Sequence, residues 1–189
     1  MNPDDTALDA IAAQVRSLPP LPRDEVHELL VAVQAEQRGP AHERLVEHHL
    51  GIPLHEALLR GNRGVDAVDL YQEGTVATII AIGEYAARSD AASGLEPFIR
   101  RVVGLHLDQI LESASIEREA DEAFVRDAEL YETAEVGLRH RLGREATSTE
   151  LAGVLRWPEE RVAVVGEQIT RARELWDGDI VRYLDDGEE

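Results

Sequence analysis

The stretch that decides the fold is DLYQEGTVATIIAIGEY, Asp69–Tyr85. Its centre, Val76, Ile79, Ile80 and Ile82, is apolar enough to predict burial on most sides. Propensity alone would suit a strand, because β-branched side chains are enriched there. Length decides otherwise. The run is longer than an ordinary strand and its neighbours all read as helices, so a helix is predicted.

Upstream, Leu8, Ile11, Ala12 and Val15 recur at helical spacing until PPLP, Pro19–Pro22, stops them. Asp24 is read as the N-cap of the next helix, whose Val26, Leu29, Leu30 and Val33 fall at i, i+3, i+4 and i+7. Gly39-Pro40 ends that helix. Ala41 opens another through Leu45, Val46, His49 and Leu50, with Pro53 interrupting it before a further turn or two over Leu54–Arg60. Gly61–Asp69 is turn-rich.

Downstream, Arg88–Gly94 reads as a loop and Leu95–Glu112 as a helix carrying Phe98, Ile99, Val102 and Val103. From Ser113 to Glu135 eight acids face two arginines, the pattern of a solvated helix or linker. Thr147 or Ser148 caps a short helix holding Leu151, Ala152, Val154 and Leu155. Trp157-Pro158 then turns the chain into a last helix with Glu159 and Glu160 in its first turn. No segment alternates as a strand should. The fold class is all-α.

The 189 residues carry a net charge of −19, from 38 acids against 19 basic residues, and every basic residue is arginine. Binding to nucleic acid depends on neutralising phosphates, so such a surface repels DNA unless its cations cluster. Acidity serves solubility on one reading and attachment to a basic protein surface on another. There is no cysteine, no apolar run of the ~20 residues that a membrane span needs, and no signal-peptide pattern at the start. A soluble cytoplasmic protein without a membrane partner is expected. No phosphate loop, nucleophile elbow or paired-carboxylate cleft is present, so neither an enzyme nor a cofactor is expected. His42 and His49 fall two turns apart, but without a third ligand at metal spacing no metal site is predicted.

Asp69, Leu70, Gln72, Glu73, Gly74, Ala81 and the aromatic Tyr85 make this segment resemble the second conserved region of the sigma-70 family of bacterial transcription initiation factors. Two flanking segments resemble that family in the same order. Before it, Glu43, Arg44, Leu45, Val46, Glu47 and Leu50 match in spacing; after it, GREATSTELA and its sequel resemble the third region through Gly143, Arg144, Glu145, Thr147, Glu150, Leu151, Ala152, Leu155, Val162 and Arg173. The resemblance covers residues ~40 to 175. It implies a region 2-like helical domain over 39–112 and a small three-helix region 3-like domain over 136–180. Around them lie N-terminal helices over 1–38, an acidic linker or helix over 113–135 and an acidic tail over 181–189. It also implies docking on the clamp helices of the largest subunit of core RNA polymerase through Asp69, Gln72, Glu73, Thr75 and Ile79. Carboxylates and an amide on adjacent turns suit an arginine-rich partner helix.

The departures concern DNA. In the family, an aromatic and basic patch after this helix melts promoters by holding flipped bases. Here Phe98, Arg100 and Arg101 remain, the expected Trp pair is missing, and Glu96 and Asp108 add negative charge. Core packing is the stronger expectation for Phe98. No promoter-reading helix-turn-helix follows the third region, where Arg171 and Arg173 stand among acids, so promoter DNA is at most a weak partner. Three readings follow: a sigma-like factor acting on core polymerase, a sigma mimic that binds an anti-sigma factor or competes for the polymerase, or a helical protein of unrelated function that keeps a sigma-like fold.

Overall fold

Proline, glycine and aspartate set several of the chain's helix boundaries. The computed structural model describes residues 3–61, 63–89 and 91–185, and the side chains of 8–61, 63–89 and 91–176. The described residues form eight helices and no strand: α1 (Pro3–Ser17), α2 (Arg23–Ala35), α3 (Pro40–His49), α4 (Gly51–Arg60), α5 (Ala67–Ala86), α6 (Ala92–Leu142), α7 (Ser148–Leu155) and α8 (Glu159–Asp185). The all-α class stands.

Several boundaries differ from the sequence reading, each for a local reason. Asp24 does not cap α2. Pro22, in extended conformation, precedes the helix and Asp24 lies inside the first turn, where its charge meets the positive helix end. Pro40, not Ala41, opens α3, since a missing N–H costs nothing in a first turn. Pro53 does not interrupt a helix either. The break falls at Leu50, and Pro53 is the third residue of α4. The loop read over Arg88–Gly94 gives way to α6 at Ala92.

The chain divides into two compact units, residues 1–116 and 117–189. In the first, Asp66 starts α5: its carboxylate accepts a hydrogen bond from the Val68 N–H at 2.7 Å. Leu70, Ala77, Ala81 and Ile82 turn inward and join Leu30, Leu45, Leu95, Ile99 and Leu107 in one core. Each buried leucine or isoleucine contributes about 1.5–3 kcal/mol, which outweighs the few tenths that each β-branched residue costs a helix. Glu56, buried on α4, ties that helix to α6. It accepts from Arg60 at 2.5 Å and from Arg100 at 3.3 Å, while Arg60 Nε donates to Asp108 at 2.8 Å. The bond from Arg60 holds the Asp108 carboxyl below its ordinary range.

In the second unit, Ala134 and Leu138 of α6 pack with Leu151, Ala152 and Val162. The acidic stretch 113–135 therefore runs as helix, and Tyr131 and Ala134 within it belong to this core. Thr147 caps α7 through a reciprocal pair: its hydroxyl accepts from the Glu150 N–H, and Glu150 accepts from the Thr147 N–H at 2.8 Å. Arg144 grips the same carboxylate with both terminal guanidinium nitrogens, Nη1 and Nη2, at 2.9 and 2.8 Å. Arg156 ends α7 in the left-handed region, at φ 56°. α8 extends to Asp185, past the end read at residue 180, and residues 186–189 of the acidic tail lie outside the described residues.

Candidate functional site

Helical geometry sorts α5 into two faces. Residues 69, 72, 73, 76, 79, 80 and 83 recur at steps of three and four, which places them on one side. That side is open. Asp69, Gln72 and Glu73 are exposed, and so are Val76 at 50%, Ile79 at 42% and Ile80 at 53%, while Ile82 on the opposite side is fully buried. The expected burial of the whole apolar run is thus wrong for three of its four members. The reason is periodicity: α5 is apolar all round, but only one of its sides meets the core.

The open face continues into a groove of about 670 Å³ between α5 and α3, with Ile79, Ile80 and Gly83 on one wall and Gly39, His42 and Glu43 on the other. His42 fixes the two helices together. It is buried, and its Nε2–H donates to the Ile79 carbonyl at 3.0 Å. Acids frame the apolar centre, with Asp69 and Glu73 at one end and Glu84 at the other. An isolated exposed aliphatic side chain is ordinary; Val76, Ile79 and Ile80 side by side and rimmed by charge form the surface expected of a protein-binding patch.

Of the five residues assigned to polymerase docking, Asp69, Gln72, Glu73 and Ile79 share this face. Thr75 does not: it is half-buried and its hydroxyl donates back to the Tyr71 carbonyl at 2.8 Å. Glu73 is also held by His106 of α6, at 3.1 Å. Val76, Ile80 and the α3 wall escaped the sequence reading. Counting three and four from Asp69 would have found the first two; nothing in the sequence pairs α3 with α5.

The residues assigned to DNA are differently placed. Phe98 is half-buried against the core, its ring centroid 5.4 Å from that of Tyr85, with the Arg88 guanidinium 5.8 Å above it. Arg100 is spent on Glu56 and on Glu96, the latter at 3.0 Å, whereas Arg101 is exposed. In the second unit Arg173 donates to Glu132 at 2.8 Å and Arg171 is exposed. A guanidinium already bonded to a carboxylate has its charge compensated and fewer donors left for a phosphate. His42 and His49 share no ligand: His49 Nδ1–H donates to the Leu45 carbonyl at 2.7 Å. Among the described residues no group of His, Asp and Glu could hold a metal ion, and no helix is long and apolar enough to cross a membrane.

No protein-family model matches this chain, and no curated protein matches it.

Proposed function

We propose that this protein is a sigma-like transcription factor that docks on core RNA polymerase through the open face of α5 and modulates initiation. The observation that carries this reading is the single exposed stripe formed by Asp69, Gln72, Glu73, Val76, Ile79 and Ile80. Its apolar centre supplies desolvation, and its acidic rim suits the arginine-rich coiled coil implied by the resemblance. The test is co-purification with core polymerase, comparing the natural chain with Asp69→Arg and Ile80→Glu. Binding that falls about tenfold or more in each variant supports the reading. A natural chain that does not bind core polymerase overturns it.

A second reading has its own support. Arg100 and Arg173 are bonded to carboxylates, and Phe98 packs on the core, so little is left for handling a melted promoter. This favours a sigma mimic, a binding module that occupies an anti-sigma factor or competes for the polymerase. Open-complex formation on a natural promoter would rule the mimic out.

A further inference from the structure

In a chain whose acids outnumber its arginines two to one, one cavity of the first unit reverses the ratio. It measures about 750 Å³ and lies among the end of α1, the Pro19–Pro22 segment, the α3–α4 junction and the start of α6. Arg23, His48, His49 and Arg100 line it, and Glu96 is the one carboxylate among its described lining residues. Glu96 is already bonded to Arg100 at 3.0 Å.

Other features point the same way. The first residues of three helices, Arg23 of α2, Gly51 of α4 and Ala92 of α6, line the cavity, and neither α2 nor α4 has a side-chain cap. Uncapped helix starts of this kind favour an anion. His48 Nε2 is buried without a hydrogen-bond partner. His49 uses Nδ1–H on the Leu45 carbonyl, so its Nε2 donates to an anion only once the ring is protonated. The remaining wall is apolar, with Val15, Leu18, Leu21, Ile52 and Pro97.

We propose that this cavity binds a small amphiphilic anion, with a phosphate or carboxylate head among Arg23, His48 and His49 and a short apolar body against the proline-lined wall. The volume is in the range of small-molecule sites. Burial and the Arg44 charge hold free His48 largely neutral, so an anionic head recruits a proton to the imidazole and binds more tightly as the pH falls below neutral. The charged groups around the pair are Arg23 and Glu25 of α2, Arg44 and Glu47 of α3, and Glu96 and Arg100 of α6. The site is independent of polymerase docking, because none of its residues lies on α5.

The test is NMR titration of the full chain with octyl phosphate, with inorganic phosphate and octanol as separate arms. Saturable shifts of the His48 and His49 rings and the Gly51 amide are expected with octyl phosphate, and weaker ones with inorganic phosphate. Arg23→Glu, at an exposed position, should weaken binding about tenfold, and His48→Gln should flatten its pH dependence. Absence of saturable shifts overturns the proposal. So does equal binding of octanol, or an affinity unchanged in Arg23→Glu.

Discussion

Gly74 of α5 lies so close to Pro53 of α4 that a Cβ added at position 74 would stand 2.9 Å from the proline Cβ and 3.4 Å from its Cα. Pro53 is itself buried in the first turn of α4, and Val103 closes the third side at 3.4 Å. Alanine is the better helix former by about 1 kcal/mol, but overpacking a rigid ring costs about 1–3 kcal/mol. Gly74→Ala is therefore expected to lower stability by about 1 kcal/mol in urea unfolding, and Gly74→Val by more. A stabilised alanine variant would show that α4 and α5 can separate freely.

The two faces of α5 predict opposite outcomes for similar substitutions. Ile80→Glu, on the open side, should leave the unfolding free energy unchanged within about 0.5 kcal/mol, while weakening the proposed polymerase binding about tenfold or more. Ile82→Ala, in the core, should cost about 2–4 kcal/mol. Circular dichroism melts beside the co-purification assay separate the two effects.

Acidification should loosen the first unit. Burial lowers the His48 and His49 pKa values from the ordinary 6.5. A histidine whose folded pKa lies below its unfolded value favours folding fully above 6.5, and that contribution is lost as the pH falls below it. Unfolding free energy measured between pH 7 and pH 5 should therefore drop, and His49→Gln should reduce the slope. A slope unchanged in both His48→Gln and His49→Gln would place the acid sensitivity elsewhere.

At the start of α7 the sign is set by a carboxylate. The Arg144 fork and the Thr147 amide hold Glu150 down at about 2, from an ordinary 4.5. Its support of the second unit is present above 4.5 and fades as the pH falls from there toward 2. Thr147→Ala removes the cap and should cost about 1 kcal/mol at neutral pH, read from amide exchange of α7.

Arg156 offers a gain instead. A side chain at φ 56° carries a strain of about 1 kcal/mol that glycine does not. Arg156→Gly should raise the melting temperature of the second unit or leave it unchanged. A clear drop would show that the arginine side chain contributes contacts of its own.

The helical class was legible because apolar residues recur at three and four along most of the chain, and because Thr147 or Ser148 ahead of Leu151 marks a helix start. Two of the wrong boundaries, those of α3 and α4, share one cause. A proline inside a first turn is invisible to a rule that treats proline as a breaker, which is why Pro40 and Pro53 misplaced α3 and α4. The open face was only half legible. Asp69, Gln72 and Glu73 stood out as polar, but hydrophobicity cannot say which of Val76, Ile79, Ile80 and Ile82 meets the core. The acids that bind Arg100 and Arg173 come from other turns or other helices, a pairing that only the folded chain reveals.

From Thr75 to Gly83 the chain runs nine residues without a charge, and six of them are β-branched. Held in α5, they present three aliphatic side chains to solvent. Unravelled, the same residues form an uncharged, proline-free segment of high strand propensity, the kind that stacks into cross-β aggregates. Glu73 and Glu84 then act as gatekeepers at its two ends, and a protein seated on the open face would shield the chain from self-association as well as engage it.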